Sequence, residues 1–367
     1  MGGSANRVAR DVWSADGTAA FDSRRYGDLP RQALVARTLG SPFVAAVLEA
    51  AQRQLHSAPQ TAALIAGWPG DAAAAALAMR LNGALHALAR RATPATLAAL
   101  YRGDHQDFDA AIGAALAAHD AFIARWMRDP PQTNEVGRAA AIYAALLVAG
   151  QRLGMPFELL ELGSSCGLNL NLARYAYELG GMAAGVAASP VRVAPVWLGS
   201  PPPAGAVEIV GARGVDLHPL DPADAATTER LLSFVWADQP ARARRLEHAL
   251  CLARAHPPVI ERADAVTWLA DRLATPAREG ACRVVMHSMM VQYLGAADRQ
   301  AIDAMIAAAG SRATDAAPLA RISFEWDAMR SEVQLLLTCW PDGRTQQLAS
   351  CHPYGDWVDW RGAALPE

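Results

Sequence analysis

The sequence predicts an α/β protein in which an all-helical domain, residues 1–150, precedes an α/β domain, residues 151–367. Between Pro30 and Arg152, apolar residues recur at helical spacing almost throughout. After that, strand-like and helix-like segments alternate five times, which predicts a mostly parallel sheet with right-handed crossovers. Two final strand-like runs bracket Asp342-Gly343, a turn signal that predicts a closing antiparallel hairpin.

The composition is that of a soluble globular protein and disfavours several classes of function. Of the 367 residues, 52% are hydrophobic, the net charge is -3, and the basic residues are arginines scattered among acids. We therefore expect neither a nucleic acid nor a membrane as partner. The five cysteines show no Cys-x-x-Cys spacing, which favours free thiols in a cytoplasmic protein and no metal site. Residues 1–28 show no signal-peptide core and are expected to form an irregular lead-in.

The helices of the first domain are predicted from their start signals. Ser41-Pro42 opens one helix, with proline in the first turn, where its missing N–H costs nothing. Asp71 is expected to cap a long Ala/Leu helix, and Thr93-Pro94 to open the next. Asp107 begins a helix with an amphipathic stripe that buries core residues. Nothing in these helices indicates a ligand.

A polar segment, QTNEVGR at residues 132–138, opens the helix that leads into the first predicted strand. One interpretation is helix capping, because Thr133 or Asn134 would be a good N-cap and Glu135 suits a first turn. The alternative follows from position, since the start of this helix would overhang the crevice of the sheet. Asn134, Glu135 and Arg138 are then predicted to contact a substrate, and Arg138 would favour an acidic one.

The sequence is organised around residues 157–171, FELLELGSSCGLNLN. Phe157 to Leu160 is a short apolar run, Glu161 is acidic, and a turn of small residues leads into a helix-like pattern from Leu168. Strand, tight turn and helix is how an open parallel sheet forms its first ligand crevice. The helix N-terminus suits an anionic group, and the carboxylate suits a ribose hydroxyl or an amine. This stretch predicts a nucleotide-type cofactor.

Later strands also end in polar residues. In an open parallel sheet, ligands lie outside the carboxyl ends of the strands. The second strand leads to Asp216, which is placed to hold ribose hydroxyls, and the third leads to Asp264, which could accept from an adenine amine. Each acid could instead be a helix cap. The fourth strand ends at His287 and Ser288.

The segment from Glu161 to Gly167 resembles the first motif of class I S-adenosylmethionine-dependent methyltransferases, acidic-x-Gly-x-Gly-x-Gly. More closely, the chain resembles an uncharacterised bacterial family, a domain of unknown function. The similar pieces are QTNEVGR, ELGSSCGLNLN, RGVDLHPLD, FVWADQ, HSMMVQYL and CHPYGDWVDW. The resemblance implies a class I methyltransferase-like, Rossmann-like α/β domain that binds S-adenosylmethionine. The residues expected to contact this cofactor are Glu161, Gly163, Ser164, Ser165, Gly167, Asn169, Asp216, Asp264, Ala265 and Ser288.

Three features depart from the methyltransferase pattern. Ser165 stands where the middle glycine is usual and puts a side chain where the backbone should approach the cofactor. Asp216 lies further from the turn than the roughly 20 residues usual for such folds, so Asp221 is its rival. The fourth strand ends in His-Ser rather than an Asn-Pro-Pro-Tyr type of sequence, which disfavours methylation of base amino groups.

These residues lead to one expected function and two alternatives. The expected function is methyl transfer from S-adenosylmethionine to a small acceptor between the domains, with O-, carboxyl or S-methylation favoured. His287 is the predicted catalytic base, although it could instead be a packed histidine, and Tyr293 either borders the pocket or packs. The alternatives are a non-catalytic binding or structural protein on the same fold and, with less support, a nicotinamide-dependent dehydrogenase.

Overall fold

The computed structural model describes residues 28–73 and 75–362. The lead-in predicted for residues 1–28 therefore lies, apart from Asp28, outside the described residues. The chain divides into two compact units. The first comprises the chain up to Thr133 together with Ala225–Arg244, and the second comprises Asn134–Asp224 together with the chain from Arg245 onward.

Helices make up the first unit and flank the sheet of the second. The α-helices are α1 (Leu29–Thr38), α2 (Pro42–Gln54), α3 (Pro59–Ala66), α4 (Leu77–Arg90), α5 (Ala95–Arg102), α6 (Phe108–Trp126), α7 (Ala139–Leu153), α8 (Ala225–Phe234), α9 (Pro240–Ala255), α10 (Ala265–Ala274) and α11 (Ala296–Gly310). Short 3-10 helices cover Leu55–Ser57, Val136–Arg138, Leu168–Arg174 and Val291–Tyr293. Within the described ranges, no helix combines the length and the apolar character that a membrane span needs.

The helix starts of the first unit mostly follow the sequence signals. Pro42 lies in the first turn of α2, and the carboxylate of Asp107 accepts from the Ala110 N–H at 2.9 Å at the start of α6. The long helix begins at Leu77 rather than next to Asp71, because Ala76 has a left-handed backbone with φ 53. The start of α2 is fixed by Asp238, which accepts from the Ser41 hydroxyl and, at 3.1 Å, from the Phe43 N–H.

The strands form two sheets within the second unit. They are β1 (Phe157–Leu162), β2 (Ala176–Leu179), β3 (Met182–Gly185), β4 (Arg192–Val193), β5 (Val196–Leu198), β6 (Ile209–Asp216), β7 (Ile260–Arg262), β8 (Cys282–Ser288), β9 (Leu319–Trp326), β10 (Val333–Trp340), β11 (Arg344–Cys351) and β12 (Trp357–Trp360). The large sheet has the order β5-β12-β11-β10-β9-β8-β1-β6-β7, and the small one β3-β2-β4.

The large sheet is mixed, with a parallel core. Strands β7, β6, β1, β8 and β9 pair in parallel, whereas β9 to β12 form an antiparallel meander, onto which β5 adds in parallel. The prediction of an α/β architecture with a large, mostly parallel sheet is confirmed. The predicted closing hairpin corresponds to β10 and β11, in which Cys339 pairs with Arg344.

The division of the chain differs from the predicted boundary at residue 150. Helix α7 belongs to the second unit, and helix α8 and the start of α9 belong to the first. Every residue of α7 from Ala139 to Ala149 is buried, so only its last turn reaches solvent. Its alanine-rich sequence is continuous with the preceding helical region, which is why periodicity alone did not separate the units.

Register places the side chains of β1 on two faces. Glu161 pairs with Met286 of β8, and its neighbour Leu162 pairs with His287. Side chains alternate along a strand and paired residues in parallel strands share a face, so Glu161 and His287 lie on opposite faces of the sheet. Leu162 belongs to a core cluster with residues of α10 and α11, including Leu269 and Ile302. His287 therefore points to the α10–α11 side.

Candidate functional site

The turn after β1 is closely packed against other parts of the second unit. Gly163 and Gly167 have positive φ values of 70 and 68, which favour glycine. A Cβ on Gly163 would lie 2.8 Å from the Met290 Cβ, and one on Gly167 would lie 2.7 Å from the Pro258 Cβ. These glycines are explained by contacts within the chain. A contact of Gly163 or Gly167 with a cofactor stays a prediction.

Most backbone N–H groups of this turn already donate hydrogen bonds within the chain. Those of Gly163 and Ser164 donate to the carbonyl of Val215, and that of Ser165 donates to the Asp216 carboxylate at 2.8 Å. The next element is the 3-10 helix Leu168–Arg174, and β2 follows it. The predicted α-helix with an anion-binding N-terminus is therefore wrong.

Asn134 ties the polar segment to this turn. Its Nδ2 donates to the Ser164 carbonyl at 3.3 Å, and its Oδ1 accepts from the Leu168 N–H at 3.1 Å. The side chain is buried and the backbone has φ 36, a conformation that asparagine tolerates. Its position at the crevice agrees with the positional argument from sequence. A contact between Asn134 and a substrate stays a prediction.

The acids after β6 and β7 differ in what they contact. Asp216 accepts from the Ser165 N–H and from the His218 N–H, each at 2.8 Å, so it braces the turn. Its rival Asp221 accepts from the Ala223 N–H and holds a local turn. Of the two, Asp216 is the one hydrogen-bonded to the turn after β1.

Asp264 caps α10. Its Oδ1 accepts from the N–H groups of Val266 and Thr267, both at 3.0 Å, and Ala265 is the first residue of the helix. The geometry is that of an N-cap, the alternative that the sequence left open. A contact of Asp264 or Ala265 with adenine stays a prediction.

Glu161 is the most unusual group at this edge of the sheet. Its side chain is buried at 2% exposure, and burial raises the pKa of Glu161 to about 8, although hydrogen bonds from Ser164 and Asn169 and the charge of Arg138 lower it. Its Oε2 and the Oδ1 of Asn169 are buried, and neither has a hydrogen-bond partner among the residues that the structure describes. Two buried polar oxygens without a hydrogen-bond partner are costly in a protein interior. They suit a ligand that carries hydroxyl or ammonium groups.

Arg138 is a buried cation near Glu161. Its Nε donates to the Pro353 carbonyl at 2.9 Å and its Nη1 to the Ser288 carbonyl at 3.4 Å. Within the described part of the chain, the salt bridges include none for Arg138. Burial lowers the pKa of Arg138, and the nearby carboxylates of Glu135 and Glu325 raise it. Both of these hydrogen bonds go to neutral carbonyls, so the guanidinium suits an acidic group.

The carboxylate of Glu135 already has partners within the chain. Its Oε1 accepts from the Gly137 N–H at 2.9 Å and lies 3.3 Å from the Arg245 Nη2. This is the capping geometry that the sequence suggested, with Glu135 rather than Asn134 as the cap. A contact between Glu135 and a substrate stays a prediction.

The C-terminal loop completes the surroundings of Arg138. A Cβ on Gly355 would collide with the backbone of Gly137, and one on Gly137 would collide with the Tyr354 carbonyl. The two backbones therefore cross in direct contact, which only glycine permits. This crossing brings the Pro353 carbonyl to Arg138. Sequence reasoning did not identify Pro353 as a partner of Arg138.

His287 has no free ring nitrogen. Its Nδ1 lies 2.9 Å from the Glu325 Oε1, and its Nε2 accepts from the Arg321 Nε at 3.1 Å. The side chain is 2% exposed and faces away from Glu161. This geometry agrees with the packed alternative, and a catalytic role for His287 stays a prediction. Sequence reasoning missed Glu325, although an acid next to the end of a strand was a usable signal.

Two other predicted residues lie near the end of β8. Ser288 contributes its backbone carbonyl, as the acceptor for Arg138. Tyr293 is 60% exposed, in the 3-10 helix Val291–Tyr293. Its charge interaction with Arg138 places it near the site, and its contact with a substrate stays a prediction.

A family model matches residues 28–360. The chain belongs to the bacterial family described as "uncharacterized protein conserved in bacteria (DUF2332)". No curated protein and no solved structure matches the chain. Segments through which the sequence resembles this DUF2332 family meet around the turn: Asn134 bonds to Ser164, Asp216 to Ser165, and Met290 packs on Gly163.

Proposed function

We propose that this chain binds S-adenosylmethionine at the carboxyl end of β1 and transfers its methyl group to a small acceptor. The single observation that carries the proposal is the pair of buried acceptors, Glu161 Oε2 and Asn169 Oδ1, at the end of the central strand. S-Adenosylmethionine carries an ammonium group, two ribose hydroxyls and an adenine amine, so it offers donors to both oxygens.

The strand order supports a class I methyltransferase-like core. Numbered along the chain, the parallel strands β7, β6, β1, β8 and β9 have the order 3-2-1-4-5. That is the order of doubly wound sheets, in which the progression of strands across the sheet reverses between β1 and β8 while the strands stay parallel. Ligands bind at this reversal, and Glu161 ends β1 there. After β9 the antiparallel meander β10 to β12 departs from a simple closing hairpin.

The side chains around the turn after β1 leave room for S-adenosylmethionine to bond on the Glu161 side and not on the glycine side. Met290 and Pro258 fill the glycine side, whereas Glu161 and Asn169 present unsatisfied acceptors beside Arg138. We therefore place the ligand against Glu161 and Asn169. Asp216 acts through the turn, because both of its oxygens accept from backbone N–H groups.

The proposed acceptor is a carboxylate or a thiolate. When bound, S-adenosylmethionine supplies an activated methyl group on a sulfonium sulfur. Both ring nitrogens of His287 are engaged, so a carboxylate, which is ionised near neutral pH, suits the site better than a hydroxyl, and a thiol suits it to the extent that it is ionised. Arg138 attracts such an anion and orients it, and positioning with exclusion of water supplies most of the rate in this kind of transfer.

Calorimetric titration tests the cofactor directly. We expect saturable binding of S-adenosylmethionine and its demethylated product, and no binding of NAD. Glu161→Gln should weaken binding of both by about tenfold, or about 1.4 kcal/mol, since it replaces one of the two carboxyl oxygens with an amide nitrogen that cannot accept a hydrogen bond. The control is Glu158→Gln on the same strand, whose carboxylate pairs with Arg283 on the opposite face. Equal effects of the two substitutions, or binding of NAD alone, would refute the assignment.

A non-catalytic binding protein is the second candidate, and the engaged state of His287 favours it. The two functions differ in turnover. Incubation with S-adenosylmethionine and a panel of carboxylic acids and thiols should yield the demethylated product in proportion to the acceptor. Binding without product across the panel would support the binding function instead.

A further inference from the structure

The surroundings of Glu161 offer its carboxylate no ion pair. Paired residues of parallel strands share a face, so the nearest strand neighbours of Glu161 are Gly214 of β6 and Met286 of β8, and neither carries a charge. The charge of Arg138 acts on Glu161, but the hydrogen bonds of its guanidinium go to backbone carbonyls. In the described part of the chain, the salt bridges include none between these two residues.

The other titratable groups that face Glu161 do not neutralise it. The negative charge of Asp216, which follows β6, raises the pKa of Glu161. The hydroxyl of Tyr175, which precedes β2, donates to the Leu168 carbonyl. An ionised Glu161 would therefore be a buried anion that no cation of the described residues contacts, which is costly in a protein interior. Burial accordingly raises the pKa of Glu161 to about 8.

A proton on Glu161 Oε2 removes this cost in the free protein. Oε2 is buried and lacks a hydrogen-bond partner among the described residues. Protonation makes the carboxyl neutral and turns this oxygen into an O–H donor. An ammonium group of a ligand removes the same cost in another way, because it both neutralises the carboxylate and donates to it. The proton and the ammonium group therefore compete for one carboxyl.

We propose that Glu161 selects a cationic ligand by exchange: the free protein holds a proton on this carboxyl, and binding of the ammonium group of S-adenosylmethionine releases that proton to the buffer. The inference rests on the proposed function and adds the charge that the ligand presents to Glu161. A ligand with the same ribose and adenine but no cation leaves the proton in place. Below the pKa of Glu161, affinity for the cationic ligand therefore rises with pH.

Calorimetric titration of the wild-type protein in two buffers of different ionisation enthalpy counts the released protons. At pH 6.5 we expect about one proton per S-adenosylmethionine, since Glu161 and the ligand's α-amino group are both protonated there. Affinity should rise about tenfold from pH 5.5 to pH 6.5. The demethylated product keeps the ammonium group and should release the same number.

The outcomes separate the exchange from the proposed function. Binding of S-adenosylmethionine without proton release would overturn the exchange alone. Release by S-adenosylmethionine but not by its demethylated product would assign the sulfonium to Glu161 and overturn the ammonium contact. Absence of binding at every pH would refute the proposed function and the exchange together.

A neutral ligand and a matched pair of variants isolate Glu161. Adenosine has the ribose and adenine without a cation, and proton release on its binding would contradict the proposal. Glu161→Gln should release fewer than about 0.2 protons per S-adenosylmethionine and lose the rise in affinity with pH. Glu158→Gln, whose carboxylate pairs with Arg283 on the opposite face, should release as many protons as wild type. Equal release by the two variants would contradict the assignment to Glu161.

The proton is also observable without a ligand. The Glu161 carboxyl resonance, assigned by comparing wild-type protein and Glu161→Gln labelled with ¹³C-glutamate, should titrate near pH 8. A carboxyl that titrates below pH 6 would overturn the exchange, whatever the ligand.

Discussion

Two strand ends of the same sheet, those of β1 and β8, hold titratable side chains in opposite states. Glu161 at the end of β1 is buried with an oxygen that has no donor. His287 at the end of β8 is equally buried, but Glu325 and Arg321 occupy both of its nitrogens. Only the first group has bonding capacity left for a ligand.

The comparison shows that the type of a residue indicates a ligand-binding role less well than a buried polar atom that lacks a hydrogen-bond partner. Histidine at a strand end has the better pKa for proton transfer near neutral pH. Here that histidine bonds to Glu325, whose carboxylate also accepts from the backbone N–H of Met290. The carboxylate, whose role from sequence was to hold a cofactor hydroxyl or amine, is the group left unsatisfied.

The largest expected effect is on stability, at the contact between Gly163 after β1 and Met290 after β8. Gly163→Ala should lower the free energy of unfolding by about 4 kcal/mol, because left-handed strain and overpacking against Met290 add. Gly154→Ala is the control, since Gly154 also has positive φ but no atom of the described residues lies within 4 Å of its Cβ position. We expect the control to cost about 1 kcal/mol in urea unfolding. Equal costs would mean that Met290 does not press on the turn.

The next effect concerns the unsatisfied acid. The pKa of Glu161 is raised to about 8, so between its unfolded value near 4.5 and about 8 the native state binds the extra proton, and stability falls as pH rises. Relative to wild type, Glu161→Gln should be similar at pH 4.5 and more stable by about 3 kcal/mol at pH 7.

Urea unfolding of wild type, Glu161→Gln and Glu158→Gln at several pH values measures this difference. Glu158 lies on the same strand with 31% of its side chain exposed and pairs with Arg283, so its substitution should not reproduce the growing stabilisation. A Glu161→Gln advantage that stays constant from pH 4.5 to 8 would show that the wild-type carboxylate is not penalised by burial.

The smallest effect tests Asp264, a strand-end acid with a known partner. Asp264→Ala should cost about 1 kcal/mol through loss of the α10 N-cap and leave the affinity for S-adenosylmethionine unchanged. Asp264→Asn retains an acceptor and should recover most of the stability. A tenfold loss of affinity with either variant would instead assign Asp264 to the ligand.

Local patterns identified the core of the second unit. The run Phe157 to Leu160, the turn after it and the Asp342-Gly343 hairpin signal are all short-range features, and each predicted an observed element. The segment at 132–138 was placed at the crevice from chain order alone, and Asn134 does contact the turn. The link of this segment to substrate binding remains a prediction.

The features that local patterns did not predict depend on long-range contacts. Residues after Leu168 have a helical pattern, yet they form a short 3-10 helix before β2. The state of His287 is set by Arg321 and Glu325, whose side chains reach it only after β9 pairs with β8. Periodicity and spacing contain no signal for such partners.

The crossing of Gly137 and Gly355 has a consequence for the order of folding. Arg138 and Pro353 are 215 residues apart in sequence, and this contact cannot form until nearly the whole second unit has left the ribosome. During synthesis, the buried guanidinium lacks its carbonyl partner and the surface of Gly137 stays uncovered. A nascent chain stalled before Cys351 would therefore lack the contacts of Arg138 with Pro353 and of Gly137 with Gly355.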